Sequence, residues 1–117
     1  TCHDEFLLPT LLEAADGALV GFAGFVPELI VELVQRALDG DLRGAKETQK
    51  KVEPLNRIVY AFGEPSSSAH QRMKCARWLL GMFPSPKMRR PLRDLDAEEI
   101  SGIRTQLEVL GYECVQK

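Results

Sequence analysis

The sequence predicts a mostly α-helical piece of a larger α/β structure. Three observations carry that expectation. Five apolar patterns at helical spacing follow one another along the 117 residues. A single glycine-punctuated apolar run, Gly17 to Phe25, has the character of a strand buried on both faces, and one strand cannot satisfy its own backbone donors and acceptors. The chain also opens at Thr1 without a methionine, directly on a polar cluster, Cys2-His3-Asp4-Glu5, that reads as a strand end. It is therefore expected to be the C-terminal part of something longer.

The elements follow in order. Phe6 to Ala15 is apolar and helix-forming, with Pro9 tolerable because it lies near the start. Asp16-Gly17 ends it. Three glycines between 17 and 24 weigh against a buried helix in the next run and favour the strand. Pro27 at a first helical position and Gly40 at the far end frame a helix whose apolar face is Leu29, Ile30, Leu33, Val34, Ala37 and Leu38. Asp41 can cap the helix after it. That helix carries Leu42, Ala45, Val52, Leu55, Val59 and Phe62, with Gln49 in the one polar slot. Pro54 does not change its phase, so one kinked helix is expected. A turn-rich loop covers residues 63–67. Ser68 and Gln71 have capping-box spacing ahead of Met73, Ala76 and Leu80, with Cys75 and Leu79 alongside. Pro84, Pro86 and Pro91 predict an extended connection. Asp96 and Glu99 form a second capping box, with Leu95 and Ile100 as a hydrophobic staple. Ile100, Ile103, Leu107 and Leu110 line the last helix, and Gly111 stops it.

Composition narrows the function classes. Hydrophobic content of 44% with 27% charged residues suits an ordinary folded protein. A net charge of −2 gives no electrostatic footprint for nucleic acid. No apolar run approaches the ~20 residues that span a bilayer. Cys2, Cys75 and Cys114 are too few and too widely spaced for a disulfide framework or a zinc site, so reduced thiols in the cytoplasm are expected.

The order of elements and the local motifs resemble the C-terminal part of the dihydrodipicolinate synthase / N-acetylneuraminate lyase family. Thr1-Cys2-His3-Asp4-Glu5 resembles the end of that family's seventh barrel strand. Ala15-Asp16-Gly17-Ala18-Leu19-Val20-Gly21 is similar to the run opening its eighth strand, and Phe25-Val26-Pro27-Glu28-Leu29 to the following helix start. Gly40-Asp41-Leu42 through Pro54-Leu55 resembles its G-D…A…Q…P-L helix. The resemblance implies a (β/α)8 barrel, of which residues 1–40 would hold the seventh helix, eighth strand and eighth helix. Residues 41–117 would form a helical extension of the same domain. It further implies a class I aldolase mechanism, in which a lysine on the sixth strand forms a Schiff base with pyruvate or another 2-oxo acid. A homo-oligomer, a tetramer or dimer, is implied, and neither metal nor diffusible cofactor is needed.

Within that resemblance no catalytic residue falls in this chain, and five residues are candidates for substrate binding. Asp4 and Glu5 would lie at the C-terminal mouth of the barrel, where such folds place their active sites. Carboxylates there can accept hydrogen bonds from the hydroxyls of a sugar-acid tail; a helix N-terminus, which also favours acids, is the competing explanation. That pair tilts the expected substrate toward a 2-oxo acid or deoxy sugar acid and away from aspartate semialdehyde. Cys2 stands where the family has glycine. Leu19 matches a strand position whose carbonyl lies near the pyruvyl group. Gly21 matches a serine of the sialic-acid branch, which argues against N-acetylneuraminate. Lys74, between Arg72 and Arg77 on a helix, lacks the desolvated setting a Schiff-base lysine requires. The basic stretch Lys87, Arg89, Arg90 and Arg93 reads as solvated or as packing the extension. The rival class is a non-catalytic helical module used for assembly or binding.

An isolated chain of this kind should expose faces that barrel strands would cover. It is expected to aggregate or pack loosely when expressed alone. A sharp, reversible two-state melt of the isolated monomer would contradict this.

Overall fold

A computed structural model describes residues 1–60 and 66–116. Phe62 and the expected turn at 63–65 lie outside the described residues. Among the described residues there are five α-helices and one 3-10 turn, and no strand. No helix among them is long and apolar enough to cross a membrane. The chain divides into two compact units, Thr1–Glu53 and Pro54–Lys117.

In the first unit, α1 (Leu7–Glu13) buries Leu7, Leu8 and Leu11. Pro9 is its third residue, where a backbone N–H would have no partner within the helix. The expected strand is the main correction. Residues 17–20 have no regular structure, with Val20 extended at φ −127 and ψ 152, and Gly21–Gly24 winds into a 3-10 turn. A strand is defined by its ladder, and here only Thr1 pairs alongside. Phe22 and Phe25, both fully buried, meet edge to face at 5.2 Å. α2 (Pro27–Leu38) starts at proline as the sequence predicts and receives both α1 and the 3-10 turn. Its buried face is Leu29, Ile30 and Leu33, whereas Leu38 is exposed. Gly40, at φ +77, closes it in a Schellman arrangement: the Asp41 N–H donates to the Arg36 carbonyl at 2.9 Å and the Gly40 N–H to that of Ala37 at 3.2 Å.

α3 (Leu42–Val59) runs from the first unit into the second with Pro54 inside it, as one helix. Asp41 caps it, its Oδ1 accepting the Gly44 N–H at 2.9 Å. Ala45, Val52, Leu55 and Val59 are buried as expected, and Leu42 is exposed. Thr48 shares the buried face. Its hydroxyl donates to the Gly44 carbonyl at 3.1 Å, which is how a polar residue fits there.

In the second unit, α4 (Ser66–Leu79) packs against α5 (Ala97–Val109). The Ser68–Gln71 capping box is not formed. The helix starts two residues earlier, and the buried Gln71 amide donates to the Arg93 carbonyl instead. The buried face of α4 is Ala69, Arg72, Cys75, Ala76 and Leu79, while Met73 and Leu80 are half-buried. Cys75, Ala76 and Leu79 are buried as the sequence indicates, and Ala69 and Arg72 complete the face.

The α5 capping box is formed in both directions, and Glu99 does more than cap. Its Oε1 accepts Arg72 Nη2 at 2.7 Å and Arg93 Nη2 at 2.9 Å. Its Oε2 accepts Arg93 Nη1 at 2.7 Å and the Asp96 N–H at 3.1 Å. Asp96 Oδ1 in turn accepts the Glu99 N–H at 2.8 Å. One carboxylate thus joins α4, the proline-rich connection and α5. The Arg93 hydrogen bonds, helped by the Asp96 amide and Arg72 and opposed by partial burial, hold the Glu99 carboxyl down at about 2. At the far end, Gly111 at φ +88 ends α5, with the Tyr112 N–H on the Leu107 carbonyl at 3.0 Å.

Because the Glu99 pKa is lowered on folding, its contribution is complete above about 4.5 and is lost as pH falls toward about 2. Glu99→Gln takes from the buried Arg72 the carboxylate to which its Nη2 donates and should cost about 3 kcal/mol near neutral pH. Denaturant melts across pH should show the parent losing stability in that window and the variant losing much less. Equal pH slopes for the two proteins would contradict the assignment.

Candidate functional site

The five candidate residues lie on two short stretches of the first unit, 2–5 and 19–21. Two sets of bonds tie these together. The Thr1 amino group donates to the Gly17 carbonyl at 2.8 Å, and the Leu19 N–H donates to the Thr1 carbonyl at 2.9 Å. Donor and acceptor of one residue thereby bracket Ala18, which is the pattern of one rung of parallel β pairing. The second set is made by a side chain. Asp4 is 2% exposed; its Oδ1 accepts the Phe22 N–H at 2.9 Å and its Oδ2 the Gly21 N–H at 3.2 Å. The carboxylate meets the opening amides of the 3-10 turn, which have no partner within the turn itself.

Asp4 and Gly21 are therefore in direct contact, and Leu19 is bonded through its backbone to Thr1. Cys2 and Glu5 are exposed, and so is the Leu19 side chain, at 86%. His3 is exposed as well, its ring edge-on to Phe6 at a centroid distance of 6.4 Å. Glu5 thus offers an open carboxylate beside the one that Asp4 commits to backbone amides. Phe22 escaped the sequence reading because its part is played by an amide N–H, which every residue but proline has.

Among the described residues, nothing in the second unit competes as a reactive centre. Lys74 is half-buried, donates to the Lys87 carbonyl and lies 5.9 Å from the Phe83 ring centre, over which Arg77 also stacks at 4.3 Å. Lys87 is exposed, and so are Lys46, Lys50 and Lys51 of the first unit. Arg93 of the basic stretch serves the Glu99 network. Burial pushes the Cys75 thiol up to about 11 and raises that of Cys114, so neither is an activated nucleophile. Among the described residues, no group of three or more His, Cys, Asp or Glu side chains could hold a metal ion.

Comparison with known proteins shows the family. The model of the family described as "Dihydrodipicolinate synthetase family" matches residues 1–110. The 4-hydroxy-tetrahydrodipicolinate synthase of Methanopyrus kandleri is 32% identical over 108 residues, 92% of this chain and 34% of that protein. The enzyme of the same name from Methanocaldococcus jannaschii is 29% identical over 109 residues, 93% of this chain and 36% of that protein. Among solved structures, dihydrodipicolinate synthase from Aquifex aeolicus superimposes with a TM-score of 0.85 at 25% identity, over 98% of this chain and 37% of that one. The chain spans about a third of the length of the curated relatives it matches. On the family match and these relatives, the chain belongs to the dihydrodipicolinate synthetase family.

Proposed function

We propose that this chain is the C-terminal portion of a Schiff-base-forming lyase acting on pyruvate or another 2-oxo acid, with the nucleophilic lysine outside it. The observation that carries this reading is the family match over residues 1–110, with relatives named 4-hydroxy-tetrahydrodipicolinate synthase. The parallel rung between Thr1 and Ala18 supports placing residues 1–3 and 17–20 on neighbouring strands of a (β/α)8 barrel. The exposed or half-buried lysines between 46 and 87 support a nucleophile elsewhere, because a Schiff-base lysine needs a desolvated setting.

On this reading residues 1–40 complete the barrel and residues 41–117 extend it. Cys2, Asp4, Glu5, Leu19 and Gly21 border its mouth. Glu5 is the acid free to meet a polar substrate tail, and the Leu19 carbonyl faces the 2-oxo acid end. Gly21 leaves room where a side chain would reach in. The Asp4 carboxylate, already bonded to two amides, weakens the case for a paired-acid sugar site and leaves the 2-oxo acid as the firmer half of the substrate assignment. A cytoplasmic homo-oligomer without metal or diffusible cofactor completes the proposal.

The test is reductive trapping. The protein encoded by the complete reading frame is incubated with pyruvate and borohydride, and the adduct is mapped by peptide mass spectrometry. The expected result is a covalent adduct on a lysine outside residues 1–117. The absence of any adduct would overturn the lyase reading and favour a helical assembly module.

A further inference from the structure

We infer that Asp4 is a positioning residue, which sets the spacing between the two stretches of the mouth and does not bind substrate through its own carboxylate. The inference rests on the lyase reading above and deepens it. Four observations converge. Asp4 is almost wholly buried, unlike its neighbours Cys2, His3 and Glu5. Both of its oxygens accept backbone N–H groups seventeen and eighteen residues away, at Gly21 and Phe22. Those amides open the 3-10 turn Gly21–Gly24, directly after the stretch 17–20 that carries Leu19. Finally, Phe22 is fully buried against Phe25, so a shift of its amide would move a core ring as well.

A carboxylate bonded to backbone amides is held more strongly than a neutral pair would be. It is also independent of side-chain rotamers at positions 21 and 22. The backbone rung at Thr1 fixes one end of the pairing between the two stretches, and Asp4 fixes the other. Between those points lie Cys2 and His3 on one side and Leu19 and Val20 on the other. Glu5 and the Leu19 carbonyl therefore owe their separation to a residue that touches neither substrate end.

The test compares the complete enzyme with its Asp4→Asn, Asp4→Ala and Glu5→Gln variants. Amide hydrogen exchange at Gly21 and Phe22 reads the bonds themselves, whatever the activity. Exchange should be about tenfold faster in Asp4→Ala, intermediate in Asp4→Asn and unchanged in Glu5→Gln. The rate of pyruvate trapping by borohydride reads positioning, because pyruvate has no hydroxylated tail. It should fall about tenfold in Asp4→Ala and be partly restored in Asp4→Asn, with little change in the pyruvate concentration giving half-maximal rate. Unchanged exchange would overturn the inference. So would faster exchange with normal trapping, which would make the bonds structural only, or a loss confined to hydroxylated substrates, which would make Asp4 a ligand. A parent protein that traps no pyruvate refutes the lyase reading instead, and the exchange data still report on Asp4. Where Asp4→Ala fails to fold, Asp4→Asn carries the comparison.

Discussion

A backbone amide removed from water has to find an acceptor, and the first unit is organised around meeting that demand with a single carboxylate. The chain is extended at Val20 and turns sharply at Gly21. The amides at the start of that turn have nothing before them in the helix to bond. Asp4 supplies both acceptors, from seventeen and eighteen residues upstream; its bond to the Phe22 N–H is buried and its bond to the Gly21 N–H is partly so. The rest of the unit depends on this contact. The turn that Asp4 holds carries Phe22 into the core, and α2, against which the turn and α1 both pack, begins only three residues beyond it.

The second unit reaches the same end by a different route. Glu99 accepts from two arginines and one amide, so α4, twenty-seven residues upstream, and the connection just before α5 converge on one carboxylate. Arg72 lies in the buried row of α4 and would be a heavy cost there alone. With Glu99 beside it, the charge is compensated and the row can pack. Both units therefore use an acid near an element's start as a joint between segments.

Much of this was legible in the sequence, and the parts that were not share a cause. The helices at 27–38, 42–59 and 97–109 announce themselves through Pro27, Asp41, the Asp96–Glu99 pair and the glycines at 40 and 111, because caps and stops act locally. The family was legible for a related reason: its motifs lie in continuous order along the chain. The strand expected at 17–25 was not found, because a strand exists only through its neighbours: Thr1 alone pairs with this stretch, and Gly21–Gly24 winds into a 3-10 turn. The Ser68–Gln71 box failed because the helix already runs from Ser66, so Ser68 is not its end, and the Gln71 amide donates to the Arg93 carbonyl twenty-two residues on. Asp4 was singled out from its place at a strand end, yet its actual bonds, to two amides distant in sequence, could be read only from the fold.

The central claim is that residues 1–3 and 17–20 are adjacent parallel segments at the mouth of a barrel. A crystal structure of the complete protein, reduced with pyruvate bound, tests it most directly. The account predicts Thr1 and Ala18 as one rung of a continuous parallel ladder, the Gly17–Val20 run paired on its other edge as well, and the trapped adduct within reach of the Leu19 carbonyl. A structure in which Gly17–Val20 stays unpaired beyond Thr1, or in which the adduct lies far from both stretches, would contradict it.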